Sequence, residues 1–469
     1  MGANAVVLGG SLAGLCAARA LAERCERVTV IERDELPAGP VDRAGLPQGR
    51  HIHAMLERGR QELERLFPGF DAYVKMHGAL ELNFGTDFAV LRQTRWQPRR
   101  PYRLRGLFLS RPLVDAAARM LLTTHENVTL RPRTEVTGLV LHPEQRRITG
   151  VRVRARDGGG ETTLAADLVV DASGRGSRAP EWLAALGITP PEESGVDSFC
   201  GYSTRWYEAP PAERWPRSWW WKGVWLDPDL SGPSSELTAG VLSPCEGNRW
   251  IVTIGGIAGN YPPTDEAGFT ATLARLRSPI IAEAVALATP ISPVYSSRMM
   301  ANRFRHYERW NAVAGFLAVG DAVCAFNPIY GQGMTAAAVC GRLLREQVAA
   351  HGPLAADLPA RVFAAQVGFL KQVWDLATGA DFRFDTTEGK RPPLLKPINR
   401  YMDALFEASN DDLVIRDVAA NVMHLLQPPT AFFAPGIALR VARHALAERI
   451  RAMLRPSERP GPWPVLAPS

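Results

Sequence analysis

The chain is short of cysteine, almost without lysine, and has no apolar run long enough to span a bilayer. Its six cysteines, Cys16, Cys25, Cys200, Cys245, Cys324 and Cys340, form no C-x-x-C pair and have no histidine cluster beside them. Zinc ligation and a disulfide framework are both poor readings, and reduced thiols in a cytoplasm are expected. Lysine is confined to Lys75, Lys222, Lys371, Lys390 and Lys396, so arginine carries the formal net charge of +6. That charge is scattered rather than massed. It reads as a solvated surface and sets nucleic acid aside as a partner. The most apolar C-terminal stretch, 431–439, contains Pro435 and Gly436 and falls well short of the roughly 18 residues a spanning helix needs. The N-terminus has no basic segment, and its apolar run is broken by Gly9, Gly10 and Ser11, so it is not read as a secretory leader. There is no internal repeat.

What remains is an ordinary globular balance, 46% hydrophobic and 22% charged over 469 residues. That length suits two or three connected domains. Ala5–Leu8, a helix from Leu12 to about Glu23, and Val28–Glu32 read as a βαβ unit. Residues 37–50 read as a loop and 53–67 as a helix. Pro112 suits the first turn of another helix. Residues 136–141 and 148–155 read as a hairpin, and Leu168–Asp171 as a buried strand. Between 180 and 310 strand-like stretches (218–226, 237–242, 249–254) alternate with turns, and tryptophan is dense. Phe316–Val319 returns to the buried-strand pattern, and helices follow to about Arg455. The organisation expected is a nucleotide-binding domain begun by 1–179, a mixed β-sheet substrate domain inserted at 180–310, the return of the first domain at 311–350, a C-terminal helical region at 351–455, and a loose tail at 456–469.

Three motifs carry the chemistry. Gly9-Gly10-Ser11-Leu12-Ala13-Gly14 joins a strand to a helix, the arrangement that brings backbone N–H groups and a helix dipole to a pyrophosphate. Ser11 replaces the middle glycine of G-x-G-x-x-G. Glu32, 18 residues after Gly14, stands where a carboxylate accepts bonds from ribose hydroxyls. Gly320-Asp321 ends a later strand, and an aspartate there can bond a ribityl hydroxyl. Pro328-Ile329-Tyr330-Gly331-Gln332-Gly333 then opens a helix at Met334, whose N-terminus would stabilise negative charge at a flavin's N1/O2 edge. Asp171-Ala172-Ser173-Gly174 lies between them. Read together, the motifs predict a chain wrapped around one FAD.

On these residues the chain resembles the FAD-dependent group A monooxygenases, of p-hydroxybenzoate hydroxylase-like fold. The fold class implied is α/β: an FAD-binding Rossmann-like domain with an inserted mixed β-sheet and C-terminal helices. The FAD contacts implied are Gly9, Ser11, Leu12, Ala13, Gly14, Glu32, Arg33, Arg43, Arg111, Val136, Asp171, Gly320, Asp321, Pro328, Gly331, Gln332, Gly333 and Met334. Arg43 could bond the phosphates or lie over the flavin. The segment 171–178 departs from the family's D-G-x-x-S-x-x-R pattern at Ala172. A narrower resemblance, through residues 9–15, 43–53, 66–69 and 327–333, is to the squalene-epoxidase-like branch and its polyene epoxidases of polyether polyketide pathways.

The activity this implies is epoxidation of alkenes in a long apolar polyene by an electrophilic flavin hydroperoxide, using O2. An isolated alkene needs no protein base, so a dry cavity and no catalytic dyad are expected. Trp219, Trp221, Trp225 and Phe326 are expected to line that cavity. A phenol hydroxylase would instead use a base, and His51, His53, Tyr295 and Tyr330 are the candidates; hydrogen bonding within the loop or to FAD is the plainer reading of the two histidines. Halogenase and prenyl-reductase activities, and a non-enzymatic flavoprotein, are rivals. With one dinucleotide fingerprint, electrons come from NAD(P)H bound transiently or through a partner flavin reductase. The arginine-rich residues 437–451 read as a packed helix with a solvated face, and membrane contact is not expected.

Overall fold

Apolar runs without polar alternation must be covered on both faces, and such strands build parallel sheets. In the computed structural model, which describes residues 2–454 (apart from 54, 93–94, 143, 231–236 and 299–300) together with 461 and 463–464, those runs do so. The opening unit is β1 (Asn4–Leu8), α1 (Leu12–Ala22) and β2 (Arg27–Ile31). After it come α2 (Glu57–Leu66), β3 (Phe88–Leu91), α3 (Arg111–Leu122), β4 (Val128–Arg131), the hairpin β5 (Thr134–His142) and β6 (Arg147–Ala155), and β7 (Leu168–Asp171). The second sheet follows: β8 (Gly201–Glu208), β9 (Gly223–Leu226), β10 (Thr238–Cys245) and β11 (Arg249–Gly256), then helices α4 (Glu266–Leu273) and α5 (Ile280–Ala286). The chain returns through β12 (Asn302–Arg305) and β13 (Phe316–Ala318) and ends in α6 (Gly333–His351), α7 (Leu358–Asp381), α8 (Leu395–Ala408), α9 (Leu413–Met423) and α10 (Pro435–Leu454).

The first sheet has the order β13-β7-β1-β2-β4, every pair parallel. Its core is continuous with the buried faces of α1, α2, α3, α6 and α7. The second sheet is seven-stranded and mixed: β8, β11, β10 and β9 pair antiparallel, two short strands (289–290 and 295–297) add to β8, and β3 joins β9 in parallel. β3 therefore belongs to this sheet although it lies in sequence well before residue 180. This is the expected α/β class, with its Rossmann-like sheet, mixed sheet and C-terminal helices.

Two local expectations give way. Only Gly223–Leu226 of the stretch 218–226 is a strand, and the second helix starts at Glu57 rather than His53. The tail at 456–469 lies outside the described residues except 461, 463 and 464, and there Trp96 Nε1 donates to the Gly461 carbonyl at 2.8 Å. All six cysteines are buried and free. No helix among the described residues is long and apolar enough to cross a membrane.

Candidate FAD site

The turn after β1 requires its glycines. Gly9 has φ +103°, a conformation L side chains rarely adopt. A Cβ on Gly14 would collide with the Gly9 carbonyl oxygen, so helix and turn are in backbone contact. Ser11 caps α1 by position, but its side chain makes no capping bond. Its hydroxyl instead accepts from Arg111 Nη2 at 3.0 Å and donates to Asp115 Oδ2 at 3.4 Å, while Arg111 Nε donates to Asp115 Oδ1 at 3.1 Å. Asp115 went unnoticed in the sequence, although its place four residues after Arg111 on one helix was a readable signal. With no acidic residue in the first turn of α1, its N–H groups and Arg111 could hold a pyrophosphate.

At the end of β2, Glu32 is buried. Its Oε2 accepts from Gly10 N at 2.8 Å and its Oε1 from Asp34 N at 3.0 Å. Arg43 Nη1 lies 3.0 Å from Glu32 Oε2, though poorly aligned for a hydrogen bond, and 3.6 Å from Asp34. Arg43 Nη2 reaches the Gly10 carbonyl at 3.3 Å. Arg43 thus sits beside the Glu32 carboxylate, the group the sequence predicted to meet a ribose. Beyond it opens a cavity of about 640 Å³ lined by Arg33, Asp34, Glu35, Pro37, Asp42, Arg43, Ala44, Arg133 and Arg156, roomy enough for an adenosine. Half-buried Val136 follows on β5, whose first residue Thr134 donates its N–H to the Glu32 carbonyl at 2.9 Å.

Asp171 is a correction. It is 0% exposed. Its Oδ1 accepts from Ser173 N at 3.0 Å and Ser173 Oγ at 2.5 Å, and its Oδ2 from Ser177 Oγ at 2.5 Å. Both oxygens are consumed in shaping its own loop, so it offers FAD nothing directly.

The Gly320-Asp321 motif bridges two helix ends. Gly320 has φ +62°, and a Cβ there would come 2.8 Å from the Ala13 Cβ in the first turn of α1. Asp321 Oδ1 would lie 3.7 Å from a Cβ on Gly333, the first residue of α6. Among the described residues none donates a hydrogen bond to the Asp321 carboxylate. Burial pushes its carboxyl above the usual range against the pull of Arg175, Arg111 and Arg303. After Pro328–Tyr330, Gly331 takes φ +66° and Gln332 caps α6. Gln332 is 3% exposed with its Oε1 unpartnered. An orphaned amide oxygen, a free carboxylate and two helix N-termini brought together fit a polar cofactor that supplies their partners. Leu12 and Met334 are buried beneath these turns, in the core, and Pro328 is exposed.

Three of the four acid–base candidates are committed elsewhere, and the fourth, Tyr295, is half-buried with the Arg50 guanidinium 4.9 Å from its ring centroid. His51 Nδ1 bonds Thr204 Oγ1 at 2.9 Å, Thr204 in turn bonds Thr253 Oγ1 at 2.8 Å, and the His51 ring meets Tyr202 edge-on at 4.4 Å. Burial, with help from Arg50, holds His51 down to about 4. His53 Nδ1 bonds the His51 carbonyl at 3.0 Å, and burial followed by Arg111 pushes it down to about 3. Tyr330 donates to Asp381 at 2.6 Å, and burial and that carboxylate raise its hydroxyl well above the usual range.

Three of the four residues expected to line the cavity are corrected as well. Trp221, 1% exposed, and Trp219 pack with ring centroids 4.8 Å apart and planes tilted by 32° in the apolar layer between the second sheet and helices α4 and α5. Phe326 is buried in the core of the first domain. Trp225 alternates to the opposite face of β9, where it packs near Phe84 and donates to Asp227 at 2.7 Å.

Residues 4–181 match the family of FAD dependent oxidoreductases. Protein Rv3254 of Mycobacterium tuberculosis is 31% identical over 465 residues, covering 96% of this chain and 95% of that protein. Among solved structures, the flavin-dependent brominase Bmp2 matches at TM-score 0.65 and 16% identity, covering 96% of this chain and 99% of the other. A 2-methyl-3-hydroxypyridine-5-carboxylic acid oxygenase matches at TM-score 0.59 and 16% identity, covering 81% and 92%. At such identities the structures share the fold alone. The glycine turn, the Glu32 carboxylate and the free Asp321 stand in the part of the chain that the sequence matches mark out, and the protein is an FAD-dependent oxidoreductase of the family that includes Protein Rv3254.

Proposed function

We propose that this oxidoreductase is a monooxygenase that epoxidises alkenes of a long, apolar polyene or terpenoid-like substrate. The observation that carries the reading is that three of the four candidate bases, His51, His53 and Tyr330, are each locked in a hydrogen bond and held away from proton transfer near neutrality. A phenol needs deprotonation on its way to hydroxylation, whereas an alkene does not. FAD, reduced by NAD(P)H directly or through a flavin reductase, supplies the two electrons and activates O2. The chain's own part is to bind and to keep water out. The α1 N-terminus with Arg111 takes the pyrophosphate, Glu32 the adenosine ribose, Asp321 the ribityl chain and the α6 N-terminus the flavin's pyrimidine edge. The face of the second sheet that carries Thr204, Thr253 and Trp225 walls the substrate.

Aromatic hydroxylation is the runner-up, and it would need Tyr295 or a base brought by substrate or water. Halogenation fares worse. Lys222, next to the Trp219-Trp220-Trp221 run, is half exposed and lies 3.6 Å from Asp87, while the tryptophans are spent in packing. The test is mass spectrometry of the product from a linear polyene under ¹⁸O2, with FAD and a reductase system. One labelled oxygen per alkene without added hydrogen supports epoxidation. Two added hydrogens without label would make it a reductase. An inert polyene, with turnover of phenols in its place, would sink the epoxidase in favour of the hydroxylase.

A further inference from the structure

The loop that leads into α6 is held from behind by a single carboxylate. Asp381, the last residue of α7, is 1% exposed. Its Oδ1 accepts from the Tyr330 hydroxyl at 2.6 Å and from Asn327 Nδ2 at 3.2 Å, and its Oδ2 accepts from Asn302 Nδ2 at 2.5 Å. Asn327 in turn donates its N–H to Asn302 Oδ1 at 2.7 Å, accepts from Ile329 N at 3.2 Å and reaches Ser198 Oγ at 3.3 Å. The donors are all neutral, and no cation makes an ion pair with Asp381 among the described residues. Burial raises its acid while Tyr330, Ser198, Asn302 and Asn327 oppose that rise.

A buried carboxylate answered only by neutral donors is expensive to keep. Its geometric yield is that four separate segments meet on one atom group: the end of a 24-residue helix, β12, the loop at Ser198, and both ends of the turn 327–330. Most of α7 is bedded in the main core through Leu358, Val362, Phe363, Leu370, Val373 and Ala377, so it presents Asp381 from a rigid base. The turn's own bonds, Ile329 N to Asn327 Oδ1 at 3.2 Å and Gly331 N to the Pro328 carbonyl at 3.0 Å, hold its shape. Asn302 fixes its first residue through Asn327 N at 2.7 Å, while Asp381 is the group that ties both Asn327 and Tyr330 to α7.

We propose that Asp381 is a positioning residue for the flavin: it sets the turn 327–331, and through it the N-terminal end of α6. The C-terminal helical region is then part of the redox site and not an appendage. The inference rests on the FAD reading of Asp321 and α6. If the wild-type protein takes up no FAD, it is that reading which fails; the variants below bear on Asp381 alone.

The experiment compares Asp381→Asn, Tyr330→Phe, their combination, and Asp375→Asn as a control on the exposed face of the same helix. Each apoprotein is titrated with FAD, its Tm is recorded, and the midpoint potential of the bound flavin is measured. Asp381→Asn is expected to raise the FAD dissociation constant about tenfold, with little change in apoprotein Tm and none in the control. Tyr330→Phe, which changes no charge, should weaken FAD less and move the potential to more negative values, because the dipole at the α6 N-terminus is less well aimed. The double variant should be no worse than Asp381→Asn alone, the signature of two groups acting through one bond. Wild-type FAD affinity and potential in both single variants would overturn the proposal, as would strictly additive losses. If Asp381→Asn does not fold, Tyr330→Phe alone decides by the same two readouts.

Discussion

The two faces of the mixed sheet are built to different rules. On the face toward α4 and α5, Tyr207, Val224, Leu226, Leu242, Trp250, Val252 and Ile254 meet Trp221, Phe269, Leu273 and Ile281 in one apolar layer. On the other face, one residue out of phase along the same strands, come Thr204, Thr253, Trp206 and Trp225, with His51 hydrogen-bonded to the first. Alternation along a strand makes such a division possible. What it teaches here is that most of the region's tryptophans, Trp215, Trp219, Trp220, Trp221 and Trp250, mark the packing layer toward α4 and α5. The other face carries hydroxyls and a histidine that burial keeps neutral, and it is the one the proposed function assigns to the substrate.

If that division is right, the face toward α4 and α5 governs stability and leaves the cofactor alone. Trp221→Ala should cost about 3–5 kcal/mol of unfolding free energy, read by urea denaturation, with unchanged FAD affinity in the folded fraction. A parallel loss of FAD affinity would break the distinction between the faces. The other face should show itself in acid. His51 titrates near 6.5 when exposed and is held down to about 4 in the fold. As pH falls below 6.5 the unfolded chain takes up the proton first. Its share of the stability is therefore complete above that pH and is lost progressively down to pH 4, about 3 kcal/mol in all. His51→Gln should flatten this stretch of the stability curve; a curve parallel to wild type would assign the titration to another group. Smaller effects are expected where only the cofactor is touched. Asp321→Ala should weaken FAD by about 2 kcal/mol, roughly 30-fold, measured by flavin retained on ultrafiltration, and wild-type occupancy would remove Asp321 from the site. Glu32→Gln, which keeps the shape of the ribose carboxylate, should cost about 1 kcal/mol, roughly fivefold, by FAD titration.

Local signals were the legible ones. The opening βαβ unit, the hairpin, Leu168–Asp171 and the start of α6 could be read because a strand run, a glycine turn or a proline announces itself within a few residues. The parts that went astray depend on partners far along the chain. Phe88–Leu91 reads as an apolar run, and nothing near it reveals that it pairs with β9. Asp171 looked available until Ser173 and Ser177 took both its oxygens. Trp219 and Trp221 could be counted, but which side of a sheet they served could not. Asp381 ends a helix with no motif around it, and its partners at 198, 302, 327 and 330 converge on it only in the fold.

The parallel pairing of β3 with β9 also has a consequence in time. It joins Phe88 to Gly223, so the last strand of the second sheet is already synthesised when its neighbour is still 135 residues away (223 minus 88). A parallel contact of that span carries a large closure entropy before it gains anything, which makes it a late event in folding. Until it forms, β9 presents a bare edge rich in apolar side chains, open to strands of other molecules. A fragment spanning only 180–310 would keep that edge permanently exposed. Its solubility would then depend on the presence of a short strand that the same chain made long before.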